Sequence, residues 1–126
     1  MTGEYDRARS GSGASMAAGY AAAAVGTETS GSILSPSSAS SVVGLKPTVG
    51  LLSRSGIVPL SGTLDTPGPM TGTVIDNAIL LSAMCGEDST DAVTKDNPKN
   101  IMYWKDLGES SLKGMRFGVN KSFLSD

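Results

Sequence analysis

The feature that most limits what this chain can fold into is a stretch of small residues near its start. Residues 11–31 are dominated by glycine, serine and alanine. The stretch is not expected to be a flexible linker, because Ala14, Met16 and Ala17 favour helix and supply a surface of small side chains. The sequence therefore predicts a close-packed helix at residues 12–19.

Short apolar segments alternate with helical patterns along the rest of the chain. We expect a helix to restart near Ser32, with Pro36 in its first turn, where a missing N–H costs nothing. Apolar and β-branched runs indicate strands or extended chain. The predicted segments are buried strands at residues 22–26 and 42–45, extended chain at 63–70 and a terminal strand at 115–119.

The clearest helical pattern lies at residues 73–85. Thr73 is a favoured N-cap residue, and Asp76 stands three positions later, as in a capping box. Apolar residues that recur at helical spacing predict which face of this helix packs against a sheet. They are Val74, Ala78, Leu81 and Cys85.

Alternation of short buried strands with helices is typical of α/β layers rather than of a bundle or a sandwich. A chain of 126 residues suits one compact domain. The predicted strand at 115–119 lies almost at the end of the sequence, so we expect more sheet to follow it. The sequence therefore predicts one partial domain over residues 1–126, truncated at both ends.

The composition argues against several classes of protein. A net charge of -2 does not suit a protein that binds nucleic acid. The longest apolar run, at residues 16–25, is half the ~20 residues needed to span a bilayer, so no membrane partner is expected. The single cysteine, Cys85, cannot form an internal disulfide, which favours a cytoplasmic location.

The absence of histidine restricts the possible chemistry further. The sequence contains 0 histidines, which excludes the Ser-His-Asp triad, the Cys-His pair and His-ligated zinc sites within this chain. A hydrolase built on this sequence therefore needs another base.

Five segments, in order and with matching spacing, carry a resemblance to a known family. The second reads Val-Gly-Thr-Glu-Thr-Ser-Gly-Ser-Ile and the third Val-Val-Gly-Leu-Lys-Pro-Thr. Together they resemble the amidase signature family over residues 10–86. The resemblance implies an α/β fold, with a mixed sheet flanked by helices in α/β/α layers, of which this chain is a part. The five segments lie at residues 10–14, 25–33, 42–48, 53–59 and 64–70.

The resemblance also implies a reaction and a site. Members of the family hydrolyse a carboxylic amide through a Ser-cisSer-Lys triad, in which a lysine deprotonates a bridging serine that activates the nucleophile. The position that matches the nucleophile is Ser32. Thr29, Ser30 and Gly31 are expected to direct backbone N–H groups at the developing oxyanion, each contributing about 3 kcal/mol. The implied partner is a small-molecule amide substrate, and no metal or cofactor is implied.

Neighbouring residues are expected to support this loop. Glu28 and Thr27 precede it directly and are expected to brace it. Lys46 lies in the third segment, at a position that is not the base of the family. It is therefore not expected to take the proton of the nucleophile.

Two features favour a second hypothesis. Counting back from Ser32 with the family's spacing, the position of the bridging serine falls on Ala8, which cannot relay a proton. The lysine-bearing segment of the family has no room within residues 1–8. The alternative is a catalytically inactive, truncated amidase-like remnant or a binding module, which lacks N-terminal and C-terminal parts of its own domain.

Overall fold

The structure is a computed structural model that describes residues 10–105, 107–108 and 111–121. Within these residues, three helices and three strands are followed by a short 3-10 helix at Ala92–Thr94. The helices are α1 at Ser10–Ala17, α2 at Leu34–Ala39 and α3 at Val74–Met84, and the strands are β1 at Ala23–Glu28, β2 at Val43–Gly44 and β3 at Thr66–Thr71.

The three strands form one sheet in the order β1-β3-β2, with β3 in the centre. Both pairings are antiparallel, and β1 pairs with β3 from Ala23 opposite Thr71 to Glu28 opposite Thr66. Every residue of β3 is buried. The prediction of a partial α/β fold is confirmed, and within the described residues its strands pair only antiparallel.

The central strand carries two prolines, which explains why the sequence indicated only extended chain there. The carbonyl oxygen of Pro69 accepts a hydrogen bond from the Leu45 N–H on the β2 side, at 3.1 Å. Because successive residues of a strand face opposite neighbours, Pro67 also faces the β2 side, and the intervening residues bond to β1. The missing N–H groups of the two prolines therefore lie on the β2 side, where the short strand needs few hydrogen-bond donors.

Helix α3 begins as the capping box predicts. The hydroxyl of Thr73 accepts a hydrogen bond from the Asp76 N–H at 3.2 Å. The predicted packing face is partly wrong, because Leu81 is buried whereas Val74 is 59% exposed. A polar residue, Asn77, takes the place nearest the sheet.

The side-chain amide of Asn77 explains why the face of α3 that meets the sheet differs from the predicted one. Its Nδ2 donates to the carbonyl oxygens of Val43 and Pro69, at 3.1 and 3.2 Å. Buried carbonyl groups require donors, and this one amide supplies donors to two strands. The polar contact therefore decides which face of α3 meets the sheet.

Small residues allow the elements to approach closely. A Cβ atom on Gly68 would lie 2.1 Å from the carbonyl oxygen of Leu45, and one on Gly44 would lie 2.0 Å from Ser37 Oγ. The small core between these segments includes Ile33 and Met70, each with 0% of its surface exposed. Close packing among small residues is therefore found at the glycines of the sheet.

Several predicted bounds differ from the structure. Helix α1 lies two residues earlier than expected, and β1 continues to Glu28 rather than ending at Gly26. The predicted strand at 115–119 is wrong, since these residues form no strand and Phe117 is 72% exposed. A strand requires a paired neighbour, and the described residues provide none there. In the described part of the chain, none of the helices combines the length and the apolar character that a membrane span requires.

Ser41 generates a prediction about stability. It follows the C-cap of α2 and has φ +54°, a left-handed conformation that costs a residue with a side chain about 1–2 kcal/mol. Replacing it with glycine removes this strain but increases the entropy of the unfolded chain by up to about 1 kcal/mol. We expect Ser41→Gly to raise the free energy of unfolding by about 0.5–1 kcal/mol in urea denaturation.

The matched control is Ser38→Gly. Ser38 is also exposed, but it lies inside α2, where glycine is unfavourable. We expect this variant to lose about 0.5 kcal/mol. Equal destabilisation by both substitutions would contradict the left-handed conformation of Ser41.

Candidate active site

The residues that the sequence singled out lie in the loop between β1 and α2. Helix α2 begins at Leu34, two positions after Ser32, and the Ser35 N–H donates to the carbonyl oxygen of Gly31 at 2.8 Å. Gly31 has φ +82°, a conformation that favours glycine. Ser32 is half-buried and Ser30 is exposed. The loop therefore turns sharply and leaves both serines in reach of solvent.

The carboxylate of Glu28 is the main anchor of this loop. Glu28 is the last residue of β1 and only 3% of its surface is exposed. Its Oε2 accepts hydrogen bonds from the Ile33 N–H at 2.7 Å and the Leu34 N–H at 2.9 Å. These donors lie just past Ser32 and open the first turn of α2, so a single carboxylate closes the loop over residues 29–32. The expected bracing by Glu28 is confirmed.

Two opposing effects act on the pKa of Glu28. Burial raises it, whereas the backbone N–H groups of Leu34, Ile33 and Gly31 lower it. The positive charge of Lys46 lowers it further, and the net pKa lies below the ordinary value of 4.5. A carboxylate with a depressed pKa stabilises the fold above the unfolded-state pKa, and this contribution is lost as the pH falls through the folded-state pKa.

Thr29, the first residue of the loop, is held at two atoms. Its hydroxyl donates a short hydrogen bond to Oδ1 of Asp65, and its carbonyl oxygen accepts one from Nζ of Lys46 at 2.8 Å. The other carboxylate oxygen of Asp65 accepts from the N–H groups of Leu60 and Ser61, at 2.7 Å each. Thr29 is thereby tied to two segments that are distant in sequence.

The electrostatics of Asp65 agree with this geometry. The hydroxyl of Thr29 lowers the pKa of Asp65, burial opposes that effect, and the N–H groups of Ser61 and Leu60 lower the pKa again. The charge of Arg54 acts in the same direction. The net pKa is below the ordinary value, so Asp65 is an anion at neutral pH.

Sequence reasoning did not identify Asp65 or Lys46 as supports of the loop. They lie 36 and 17 positions from Thr29. A usable signal was present, because both are charged residues within otherwise apolar or small segments. Such residues are seldom removed from solvent without a partner, and Thr29 is a partner of both the buried Asp65 and the half-buried Lys46.

A second polar cluster lies beside the loop. Arg54 donates from Nε and Nη2 to the two carboxylate oxygens of Asp91, each at 3.1 Å. The pair lines an open cleft of about 280 Å³, together with Asp65 and Ile57. Asp65 therefore lines the cleft and also accepts a hydrogen bond from Thr29 in the loop. In the part of the chain that the structure describes, no group of acidic, cysteine or histidine side chains is arranged to hold a metal ion.

Several known proteins resemble this chain in sequence and in structure. A glutamyl-tRNA(Gln) amidotransferase subunit from Levilactobacillus brevis is 43% identical over 116 residues, 92% of this chain and 24% of that protein. The structure of an amidase family protein from Bacillus anthracis str. Ames is 52% identical, with a TM-score of 0.74 over 77% of this chain and 20% of that one. Native peptide amidase from Stenotrophomonas maltophilia is 49% identical, with a TM-score of 0.69 over 74% of this chain and 19% of that one.

The fold and the serine-containing loop thus define a part of an α/β domain of the amidase type. A sequence profile of the family described as Amidase matches residues 9–126, and the chain belongs to that family. It spans a quarter or less of the length of these relatives. The expected position of the bridging serine, Ala8, lies outside the described residues.

The anchoring role of Glu28 leads to a testable prediction. In Glu28→Gln the neutral amide accepts weaker hydrogen bonds and loses the attraction of Lys46. We expect the free energy of unfolding at pH 7 to fall by about 1.5–3 kcal/mol in urea denaturation, the range for hydrogen bonds to charged groups. The difference from the unsubstituted chain should shrink as the pH falls through the lowered folded-state pKa of Glu28, where the carboxylate becomes protonated.

Glu87→Gln is the matched control for this variant. Glu87 faces Lys99 at 3.6 Å on the surface, where an ion pair contributes little. We expect its substitution to change the free energy of unfolding by less than about 0.5 kcal/mol. An equally small effect of Glu28→Gln would show that the carboxylate does not hold the loop.

Proposed function

We propose that this chain is the nucleophile-bearing part of an amidase-type hydrolase, which cleaves the C–N bond of a carboxylic amide through an acyl-enzyme on Ser32. The observation that carries the proposal is the clamp of Glu28, which closes the loop around a half-exposed Ser32. Membership in the Amidase family supports the reaction class. The relatives support it too, since one is a peptide amidase and another belongs to an amidotransferase.

In the proposed reaction, the hydroxyl oxygen of Ser32 attacks the carbonyl carbon of a small-molecule amide. The C–N bond then breaks, the amine leaves with a proton, and an ester to Ser32 remains. Water hydrolyses this ester to a carboxylate and regenerates the serine. The family's triad implies that the proton of Ser32 passes to a bridging serine and a lysine. Because Ala8 stands at the position of that serine here, this chain does not supply the relay itself.

The backbone N–H groups of Thr29, Ser30 and Gly31 are the proposed donors to the oxyanion that forms during the attack. Two supports make the loop suitable, because preorganised donors stabilise a transition state without reorganising. Glu28 restrains the end of the loop, and Asp65 restrains its start through the hydroxyl of Thr29. The single cysteine supports a cytoplasmic location for the enzyme.

A second candidate is a catalytically inactive remnant or binding module. The specific observation in its favour is Ala8, at the position where the family has the bridging serine. In this hypothesis the chain binds an amide or a partner polypeptide without hydrolysing it. Both candidates therefore predict no turnover by the chain alone, and only the first predicts Ser32-dependent turnover when the flanking parts of an amidase domain are supplied.

A chimera tests the role of Ser32. Residues 10–121 of this chain replace the matching segment of the peptide amidase from Stenotrophomonas maltophilia, which supplies its own flanking sequence. We expect the chimera to release ammonia from a peptide amide, and Ser32→Ala to lower kcat at least about 10³-fold. Ser30→Ala, which keeps the backbone N–H, is the matched control and should cost less than about tenfold.

The 126-residue chain is assayed beside the chimera. We expect it to hydrolyse the same amide no faster than its own Ser32→Ala variant, because it lacks a base and a relay. Turnover by the chain that vanishes with Ser32→Ala would reject the inactive remnant. A folded but inert chimera, or one in which Ser32→Ala and Ser30→Ala are equally active, would reject Ser32 as the nucleophile.

A further inference from the structure

We propose that Lys46 is a positioning residue, which orients the peptide unit between Thr29 and Ser30 so that the Ser30 N–H is a fixed donor to the oxyanion. The inference rests on the proposed function of the loop and deepens it. Nζ of Lys46 lies 2.8 Å from the carbonyl oxygen of Thr29. That oxygen belongs to the same planar peptide unit as the Ser30 N–H.

The geometry of a trans peptide transmits the restraint. The C=O and N–H bonds of one peptide unit point in opposite directions. When Lys46 holds the carbonyl oxygen of Thr29 on one side, the Ser30 N–H must point to the other side. Rotation of this unit would break the hydrogen bond to Lys46 before it could turn the N–H away.

Packing of the Ser30 side chain does not restrain this peptide unit in a comparable way. Ser30 is exposed, so its side chain does not fix the orientation of the backbone. The bond from the Thr29 hydroxyl to Asp65 fixes the Cα and Cβ of Thr29, but leaves its carbonyl free to rotate. Asp65 and Lys46 together therefore restrain adjacent bonds of the same residue.

The charge of Lys46 has a second consequence. Glu28 places a negative charge beside the loop, and that charge would oppose a developing oxyanion. Lys46 interacts favourably with Glu28, which is part of the reason that the pKa of Glu28 is low. The ammonium also polarises the Thr29 carbonyl. This polarisation makes the N–H at the other end of the peptide unit a stronger hydrogen-bond donor.

The role of Lys46 differs from that of a base. Its ammonium group donates to a backbone carbonyl, so it acts through the peptide unit rather than on the substrate. Loss of Lys46 should consequently weaken stabilisation of the transition state and leave binding of the ground state nearly unchanged.

The first test uses the isotopically labelled 126-residue chain. In Lys46→Met we expect the carbonyl carbon of Thr29 to shift upfield, and the ¹⁵N order parameter of Ser30 to fall from about 0.85 to about 0.6. Lys46→Arg, which keeps a charged donor, should retain most of both values. The control is Lys99→Met, which removes the same charge from an exposed lysine and should change neither value.

The second test measures catalysis in the chimera. We expect Lys46→Met to lower kcat about 10–100-fold, somewhat less than removal of an oxyanion donor, with KM changed less than about twofold. Lys46→Arg should recover most of kcat. If Lys46→Met does not fold, Lys46→Gln provides the same comparison with a neutral polar side chain.

The two tests separate the inference from the proposed function. An inert but folded chimera rejects the proposed function, while the resonances of Thr29 and Ser30 still decide the role of Lys46. Unchanged resonances in Lys46→Met would overturn the inference even in an active chimera. Equal losses in kcat for Lys46→Met and Lys99→Met would also overturn it.

Discussion

The buried carboxylate of Glu28 is the interaction on which the rest of the site depends. Glu28 is the last residue of β1, and 3% of its surface is exposed. Its carboxylate accepts hydrogen bonds from two backbone N–H groups at the start of α2. A charge in that position is tolerated only when its hydrogen bonds are made, and here the loop itself supplies them. The conformation of residues 29–32 and the ionisation of Glu28 are therefore two aspects of a single arrangement.

The register of the sheet brings the other supports to the same place. Glu28 pairs with Thr66 across β1 and β3, so Thr29 and Asp65 are the next residues beyond that pair. The short β2 runs beside β3 and leads directly to Lys46, which reaches the carbonyl oxygen of Thr29. Three segments that are distant in sequence thus contribute charged side chains to one loop, because a small antiparallel sheet aligns their ends.

Local signals in the sequence were sufficient for part of this fold. Thr73 and Asp76 predicted the start of α3 correctly, since a capping box depends only on neighbouring residues. The bracing role of Glu28 was also predictable, because it is adjacent to the loop. The face of α3 was not, since Asn77 is oriented by carbonyl groups of β2 and β3, a contact across 34 positions in one case.

Other features depended on tertiary contacts that periodicity does not reveal. The prolines of β3 disfavour a strand locally, yet their missing N–H groups face a side of the sheet that needs few donors. The segment at 115–119 has the apolar pattern of a strand, but the described residues offer it no pairing partner. The loop was found through its resemblance to a family, whereas Lys46 and Asp65 became visible as its supports only through their contacts.

The ionisation of Glu28 in the folded chain is the most direct test of this arrangement. A ¹³C NMR titration of the side-chain carboxyl carbons measures the pKa of Glu28. If Glu28 holds the loop as a carboxylate, its pKa lies below 4.5, and the amide resonances of Ile33 and Leu34 titrate with it. A pKa of Glu28 at or above 4.5, with those two amides unaffected, would contradict the clamp and the site built on it.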